Sequence, residues 1–494
     1  MSRRSNRHDV PWVWAIALSV VVLLLVLSGR YGYHRDELYF IQAGERPAWG
    51  YVDQPPFTPL IARFAGLFDH ALFALRLLPA LSIGAIVVYA GGFARRFGGK
   101  EFSQVLAALA VATAGIFLAI GHLLSTTTFD VLIWVVLVDL VSRITQTEDA
   151  RLWLPAGAVA GIGLLNKWSV LFLAGALGLG LLATDQRRLL RTPLFLVGVG
   201  IALLMWLPNF IWQAQNDWPF FEMAESLHAE GVEDGASFLF LPMQVLLIGP
   251  LALPIWVAGL RSFVRDERMR PYRFVAWAYL VLVIVFIALS SKPYFITPLY
   301  VPLLGAGSVV AEMFVERSRR SLTKWRIAAA VTLAGLVALP IGLPLLPPRT
   351  LAQTPLNEIN EELGETFGWR SLALQVDSAY EKLPEEQRSE TVVFTLSYGE
   401  AGAIDLYGPQ LGLPRASSGH NNYWLWGPPD GEPVLIVGYF SLEYLESHFV
   451  GVRRVGTITN GVGLENEEQG APIWIADRPR GSWAALWPAL RHYN

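Results

Sequence analysis

The 494-residue chain contains no cysteine, and only 16% of its residues are charged. The first absence excludes thiolate catalysis, cysteine-ligated zinc and disulfides, and it leaves the redox compartment unread. The second sets the chain apart from water-soluble folds, which carry about 25% charged residues. Nucleotide signatures are missing as well. There is no GxxxxGK[ST], no GxGxxG between a strand and a helix, and no Asp-x-Asp of the kind that holds a metal–nucleotide sugar. No internal repeat or low-complexity stretch is visible. Disorder, a coiled coil, a disulfide scaffold and a nucleic-acid binder are thereby excluded, and no nucleotide cofactor is expected.

What the chain has instead is apolar sequence in long blocks: 53% of its residues are hydrophobic and its mean hydropathy is +0.41. A bilayer core about 30 Å thick takes roughly 20 apolar helical residues to cross. Eleven stretches qualify, at about 11–29, 77–94, 102–121, 126–142, 152–166, 168–184, 193–210, 238–260, 273–290, 295–315 and 327–347. The expected fold is therefore a polytopic α-helical membrane protein with about 11 (10–13) transmembrane helices. The first stretch follows Arg3, Arg4 and Arg7 but lacks a small-residue cleavage site, so it reads as a retained anchor.

The net charge of −3 is a sum of unlike parts: residues 1–348 hold 28 Lys+Arg and 22 Asp+Glu, whereas 349–494 hold 10 and 19. With a cytoplasmic N-terminus, 21 of those 28 bases fall in inner loops, Arg319 and Arg320 among them. The domains are then 1–347 in the membrane, with 30–76 as a first outer segment, and 348–494 as a soluble extracytoplasmic module. Thr391–Leu396, Pro433–Phe440 and Ile473–Ala476 read as its strands. Helices at 357–367, 374–383 and 441–448 alternate with them, giving a small α/β module. Tyr423, Trp424 and Trp426 lie in an aromatic loop that could stack on sugar rings or dock the module on the membrane surface.

Chemistry concentrates on the outer side. Arg35-Asp36-Glu37 follows the first span closely, and an acid pair at the membrane boundary is a candidate general base because partial desolvation raises a carboxylate pKa. Asp53 precedes Pro55-Pro56, which stiffen the chain. Asp130 follows Ser125-Thr126-Thr127-Thr128 at the start of the fourth span, as a site acid or as a partner of the helix dipole. Lys167 and Lys292 are the only bases in the later outer loops; they read as contacts to an anion or as snorkelling helix ends. Glu222, Glu225 and His228 share one helical face, either as metal ligands or as the polar side of an interfacial helix.

This ordered set resembles the bacterial glycosyltransferase family 39, which includes protein O-mannosyltransferases and the aminoarabinose transferase of lipid A. The residues that carry the likeness are Asp36-Glu37, Asp53-Gln54-Pro55-Pro56, Asp130, Asn166-Lys167, Pro208 to Gln213 leading to Trp218-Pro219, and Lys292-Pro293-Tyr294 with Pro298. Tyr398-Gly399-Glu400 and Gly419 to Trp424 also look like the C-terminal region of bacterial members. The resemblance implies the GT-C fold, a polyprenyl-phosphate sugar donor, a hydroxyl acceptor in the cell envelope and reaction on the non-cytoplasmic face of the cell membrane. It assigns catalysis to Asp36 with Glu37, and an acceptor or metal-site acid to Asp53 and Asp130. Lys167, Lys292, Arg35 and Tyr294 would meet the donor phosphate, and His228 with Asp53 would hold a divalent cation. Lipid A transferases have lysine where this chain has Gln54, so one phosphate contact of those relatives is missing. The competing class is a multi-span transporter or flippase, for which Asp139 is the one acid set toward the cytoplasmic half of a span.

Overall fold

A computed structural model describes residues 10–318 and 322–493. Arg3, Arg4, Arg7, Arg319 and Arg320 of the charge count lie outside the described residues. The chain folds into two compact units that are not collinear with it. Of the described residues, one comprises 10–28, 76–217, 227–318 and 322–343, and the other 29–75, 218–226 and 344–493. Composition divides the chain near 347; in space, the first outer segment groups with the C-terminal residues instead.

The first unit is a helical body, and the expected apolar stretches lie largely on helices, several of them short, bent or broken. Among the described residues, five helices are long and apolar enough to cross a membrane: Leu72–Arg96, Pro193–Gln215, Glu267–Ala288, Pro293–Ser318 and Leu322–Gly342. Two bent pairs would raise that to seven, Glu101–Ala112 with Gly115–His122 (58°) and Pro219–Glu233 with Ala236–Ile248 (80°). Others are short, such as Pro11–Leu27, Ala150–Leu164 and Val170–Leu182. The stretch 238–260 is not one helix. It breaks at Gly249, whose φ of +95° is costly for other residues, and a 3₁₀ turn at Pro250–Ala252 follows.

Apolar side chains remain on the outside of this unit: Leu204 is 71% and Phe238 84% exposed. Water would penalise that surface, whereas lipid does not, so several apolar helices with such faces fit a membrane location. Small residues draw the helices together. A Cβ at Gly157 would overlap the Gly198 carbonyl, joining Ala150–Leu164 to Pro193–Gln215. Gly259 and Gly307 abut backbone in the same way between Leu253–Arg265 and Tyr300–Ser318. Buried charges are paired. Asp139 accepts from Arg96 at 2.6 Å and Arg143 at 2.7 Å. Glu312 reaches the Lys100 and Ser103 amides at 2.7 and 3.2 Å, satisfying the orphan donors that start Glu101–Ala112.

The second unit is built on a sheet of β1 (Val392–Thr395), β2 (Ala416–Ser418), β3 (Val434–Val437), β5 (Arg453–Thr457) and β6 (Pro472–Ala476) in the order β2-β1-β3-β6-β5. A two-residue ladder joins β4 (Phe449–Val450) to β7 (Arg478–Pro479). β1 runs parallel to β2 and β3, and β6 is antiparallel to β3 and β5. Both faces of β1 and β3 are buried, which is why they read as unbroken apolar runs. Phe394 and Ile436 pack with Leu445, Phe449, Trp483 and Trp487 on one face.

Candidate functional site

The expected site residues divide between the units. In the second, Arg35, Asp36 and Glu37 open the helix Arg35–Glu45. His34 caps it: its Nδ1 accepts the Asp36 amide at 3.2 Å, while Glu37 accepts the His34 amide at 2.9 Å. Glu37 is thus a fully buried member of a capping box. Asp36 keeps 36% of its side chain exposed. With Nδ1 accepting, the His34 Nε2–H donates to Glu362 at 2.7 Å. Burial opposes a charged His34 ring, but the Glu362 hydrogen bond and the Asp36 charge outweigh it and raise its pKa. Arg35 pairs with Glu467 and lies 3.9 Å from Asp36.

Asp36 and Asp53 are joined through two tyrosines. The Tyr398 hydroxyl donates to Asp36 Oδ1 at 2.8 Å, and the Tyr39 hydroxyl donates to Asp53 Oδ1 at 2.8 Å. The two rings lie 4.8 Å apart. Asn422 Oδ1 accepts the Val52 amide at 2.6 Å and sits 3.2 Å from the Tyr39 hydroxyl. Burial pushes Asp53 up to about 7, with the Asp36 charge adding to it against the Tyr39 hydrogen bond. Burial also raises both phenols well above 10, so they remain donors.

Helix packing sets this geometry. Ser397 and Glu400 form a second capping box, which starts Tyr398–Tyr407 directly after β1. Gly399 and Gly402 then let that helix lie against Arg35–Glu45, where a Cβ at Gly402 would come 2.9 Å from that of Leu38. The aromatic loop is largely internal. Tyr423 is buried and donates to Asp405, and Trp424 and Trp487 exchange indole-to-carbonyl hydrogen bonds of 3.0 and 2.9 Å. Trp426 stacks under Arg46 at 4.1 Å. Neither sugar stacking nor membrane docking accounts for Tyr423.

In the first unit, Ser125 caps Thr126–Thr147 and the buried Asp130 accepts from the Ser169 hydroxyl at 2.6 Å. The Lys167 ammonium lies 4.5 Å from the Phe295 ring and 6.0 Å from that of Tyr294, beside the turn that Lys292 begins. Lys292 meets Glu230 at 3.3 Å. Trp168, which follows the Asn166-Lys167 motif, donates to Asn209 at 2.9 Å. His228 donates from Nδ1 to the Leu289 carbonyl at 2.9 Å. Glu222 lies on the same helix but in the second unit, where it pairs with Arg491 at 3.0 Å.

Among the described residues, Glu365, Glu467 and Glu468 bring carboxylate oxygens within 4.8 Å of one another. Arg35 already pairs there. Tyr39, Tyr398 and Asn422 are not found by sequence reasoning as site residues. The one signal for the last two is their place in the C-terminal motifs.

Residues 53–212 match the family model described as dolichyl-phosphate-mannose-protein mannosyltransferase. The lipid A galacturonosyltransferase RgtD of Rhizobium johnstonii is 22% identical over 253 residues, 50% of this chain and 53% of that protein. An undecaprenyl phosphate-alpha-4-amino-4-deoxy-L-arabinose arabinosyl transferase of Pseudomonas fluorescens is 27% identical over 332 residues, 64% of this chain and 58% of that one. The chain thus spans somewhat over half the length of the curated relatives it matches. The crystal structure of ArnT from Cupriavidus metallidurans bound to undecaprenyl phosphate superposes with a TM-score of 0.59 at 17% identity, covering 94% of this chain and 97% of that one. The apo structure gives the same values. The chain therefore has the fold of ArnT, and across residues 53–212 it carries the sequence pattern of the dolichyl-phosphate-mannose-protein mannosyltransferases.

Proposed function

We propose that this chain is a membrane glycosyltransferase that moves a sugar from a polyprenyl-phosphate donor to a hydroxyl acceptor of the cell envelope. The observation that carries the reading is Asp36: a part-exposed carboxylate with one oxygen anchored, on a fold shared with a protein that binds undecaprenyl phosphate. In the proposed step Asp36 accepts the acceptor's hydroxyl proton while that oxygen bonds to the anomeric carbon. The bond from that carbon to the phosphate oxygen breaks, and polyprenyl phosphate leaves with the electron pair. A single displacement inverts the anomeric centre. Lys167, Lys292 and Tyr294 are assigned to the phosphate, and positive charge placed where negative charge develops favours the transition state. Arg35 is assigned there too, although its pairing with Glu467 competes.

Asp53 and His228 are assigned to a divalent cation. The assignment rests on residue type, since carboxylate oxygen and imidazole nitrogen are both ligands for divalent metals. A bound cation would supply further positive charge at the phosphate. The topology assigned is eleven spans with the N-terminus cytoplasmic and residues 348–494 outside. Transport finds little support, because its one candidate acid, Asp139, is clamped by two arginines.

The test is mass detection of product from purified protein supplied with undecaprenyl-phosphate-linked pentoses and hexoses and an envelope lipid extract. Transfer in the wild type and its loss in Asp36→Asn are expected; full transfer by Asp36→Asn overturns the base assignment. Lys167→Ala should weaken binding of undecaprenyl phosphate itself.

A further inference from the structure

We infer that Tyr398, carried by the C-terminal residues, is a positioning residue for the Asp36 carboxylate, so that these residues take part in the reaction geometry as well as in folding. The inference rests on the glycosyltransferase reading above and deepens it. Four observations converge on one hydroxyl. Tyr398 donates to Asp36 Oδ1 at 2.8 Å, which fixes the carboxylate's rotation and leaves Oδ2 to take the acceptor's proton. Its ring is clamped between Tyr39 at 4.8 Å and His420 at 4.5 Å. The Tyr398 amide donates to His420 Nδ1 at 3.3 Å, and His420 stacks in turn on His492 at 4.7 Å. The glycine that follows Tyr398 has room for nothing larger, since a Cβ at Gly399 would lie 3.0 Å from Arg35 Cβ and 2.9 Å from the Trp369 ring.

Each contact removes a degree of freedom from the donor. A carboxylate on an exposed helix start samples several rotamers; one held by a locked phenol does not. Orientation of a base matters steeply, with a misplacement of about 1 Å costing on the order of 100-fold in rate. Tyr398 touches neither donor nor acceptor in this scheme, so its removal should act on turnover and leave substrate affinity alone.

The test uses the full-length protein and whichever undecaprenyl-phosphate-linked sugar the wild type turns over fastest. Tyr398→Phe should lower kcat by roughly 10- to 100-fold, with the donor KM within about threefold and undecaprenyl phosphate binding unchanged. Tyr439→Phe removes a hydroxyl of the same unit that binds the Gln469 carbonyl rather than Asp36, and should leave kcat within about twofold of wild type. If Tyr398→Phe misfolds, 3,5-difluorotyrosine at 398 decides. Its more acidic phenol loses the donated proton at lower pH, so activity should fall on a basic limb that the wild type lacks. A packing role moves no such limb, and its absence overturns the inference, as does a Tyr398→Phe effect confined to KM or a kcat within about twofold of wild type. Retained turnover in Asp36→Asn would instead overturn the underlying reading, which keeps the two failures apart.

Discussion

The Val52 amide donates to the side-chain oxygen of Asn422 at 2.6 Å, across 370 residues of sequence. That bond fixes the backbone just ahead of Asp53, and both partners are buried. Asn422→Ala leaves the amide without an acceptor, which costs about 1–3 kcal/mol. Denaturant titration of the detergent-solubilised protein should show that loss. Hydrogen exchange should also quicken in the peptide spanning Val52, and unchanged exchange there would contradict the assignment.

Two buried acids make stability depend on pH with a definite sign. Burial raises Asp53 to about 7 and Glu400 to about 8, both above their unfolded values near 4. Between those limits the folded state holds protons that the unfolded state has released. Stability therefore declines as pH rises from about 4 to 8 and levels off above it. Melting temperatures measured with a chelator present should follow that slope, and Asp53→Asn should flatten the part that ends near 7. A flat wild-type profile would count against both protonation states.

Asp139 is a hub for Arg96 and Arg143. Asp139→Ala leaves Arg96, whose side chain is only 14% exposed, without its partner. Breaking such a pair from one side costs about 3 kcal/mol or more. In the Asp139→Ala, Arg96→Ala double variant the orphaned charge is gone, so its loss should be smaller than the sum of the two single losses. Additive effects would show that the pair is not coupled.

Gly157 and Gly175 offer an internal comparison, since both sit on short apolar helices. A side chain at Gly157 overlaps Gly198 backbone, whereas nothing lies within 4 Å of a Cβ at Gly175. Gly157→Leu should abolish monodisperse purification, and Gly175→Ala should shift unfolding by no more than about 1 kcal/mol. Size-exclusion profiles and melting curves separate the two outcomes.

How much of this was legible follows from the range of each interaction. Apolar blocks mark the helices because lipid selects composition locally, and β1 and β3 are visible as apolar runs because both of their faces are buried. β5 was hidden: it is a sheet edge bearing Arg453 and Arg454, and an edge strand has no need of a buried pattern. The break near Gly249 was masked by apolar residues on either side. Asp36-Glu37 reads as a pair of equivalent acids, yet one closes a capping box whose cap is histidine, outside the usual Ser, Thr, Asp and Asn. Tyr398 lies 362 residues from Asp36, and no spacing rule reaches that far. The site acids could be named from motifs, whereas what holds them could not.

The pairing of Val52 with Asn422 also sets a timetable for biosynthesis. At about 5–20 residues per second, a ribosome needs roughly 20–70 s to travel from one to the other. During that interval the acid-bearing loop has been made and its acceptor has not. A chain released before residue 422 would leave the Val52 amide with no acceptor, so the second unit is completed only after Asn422 has emerged, however early its first stretches of sequence appear.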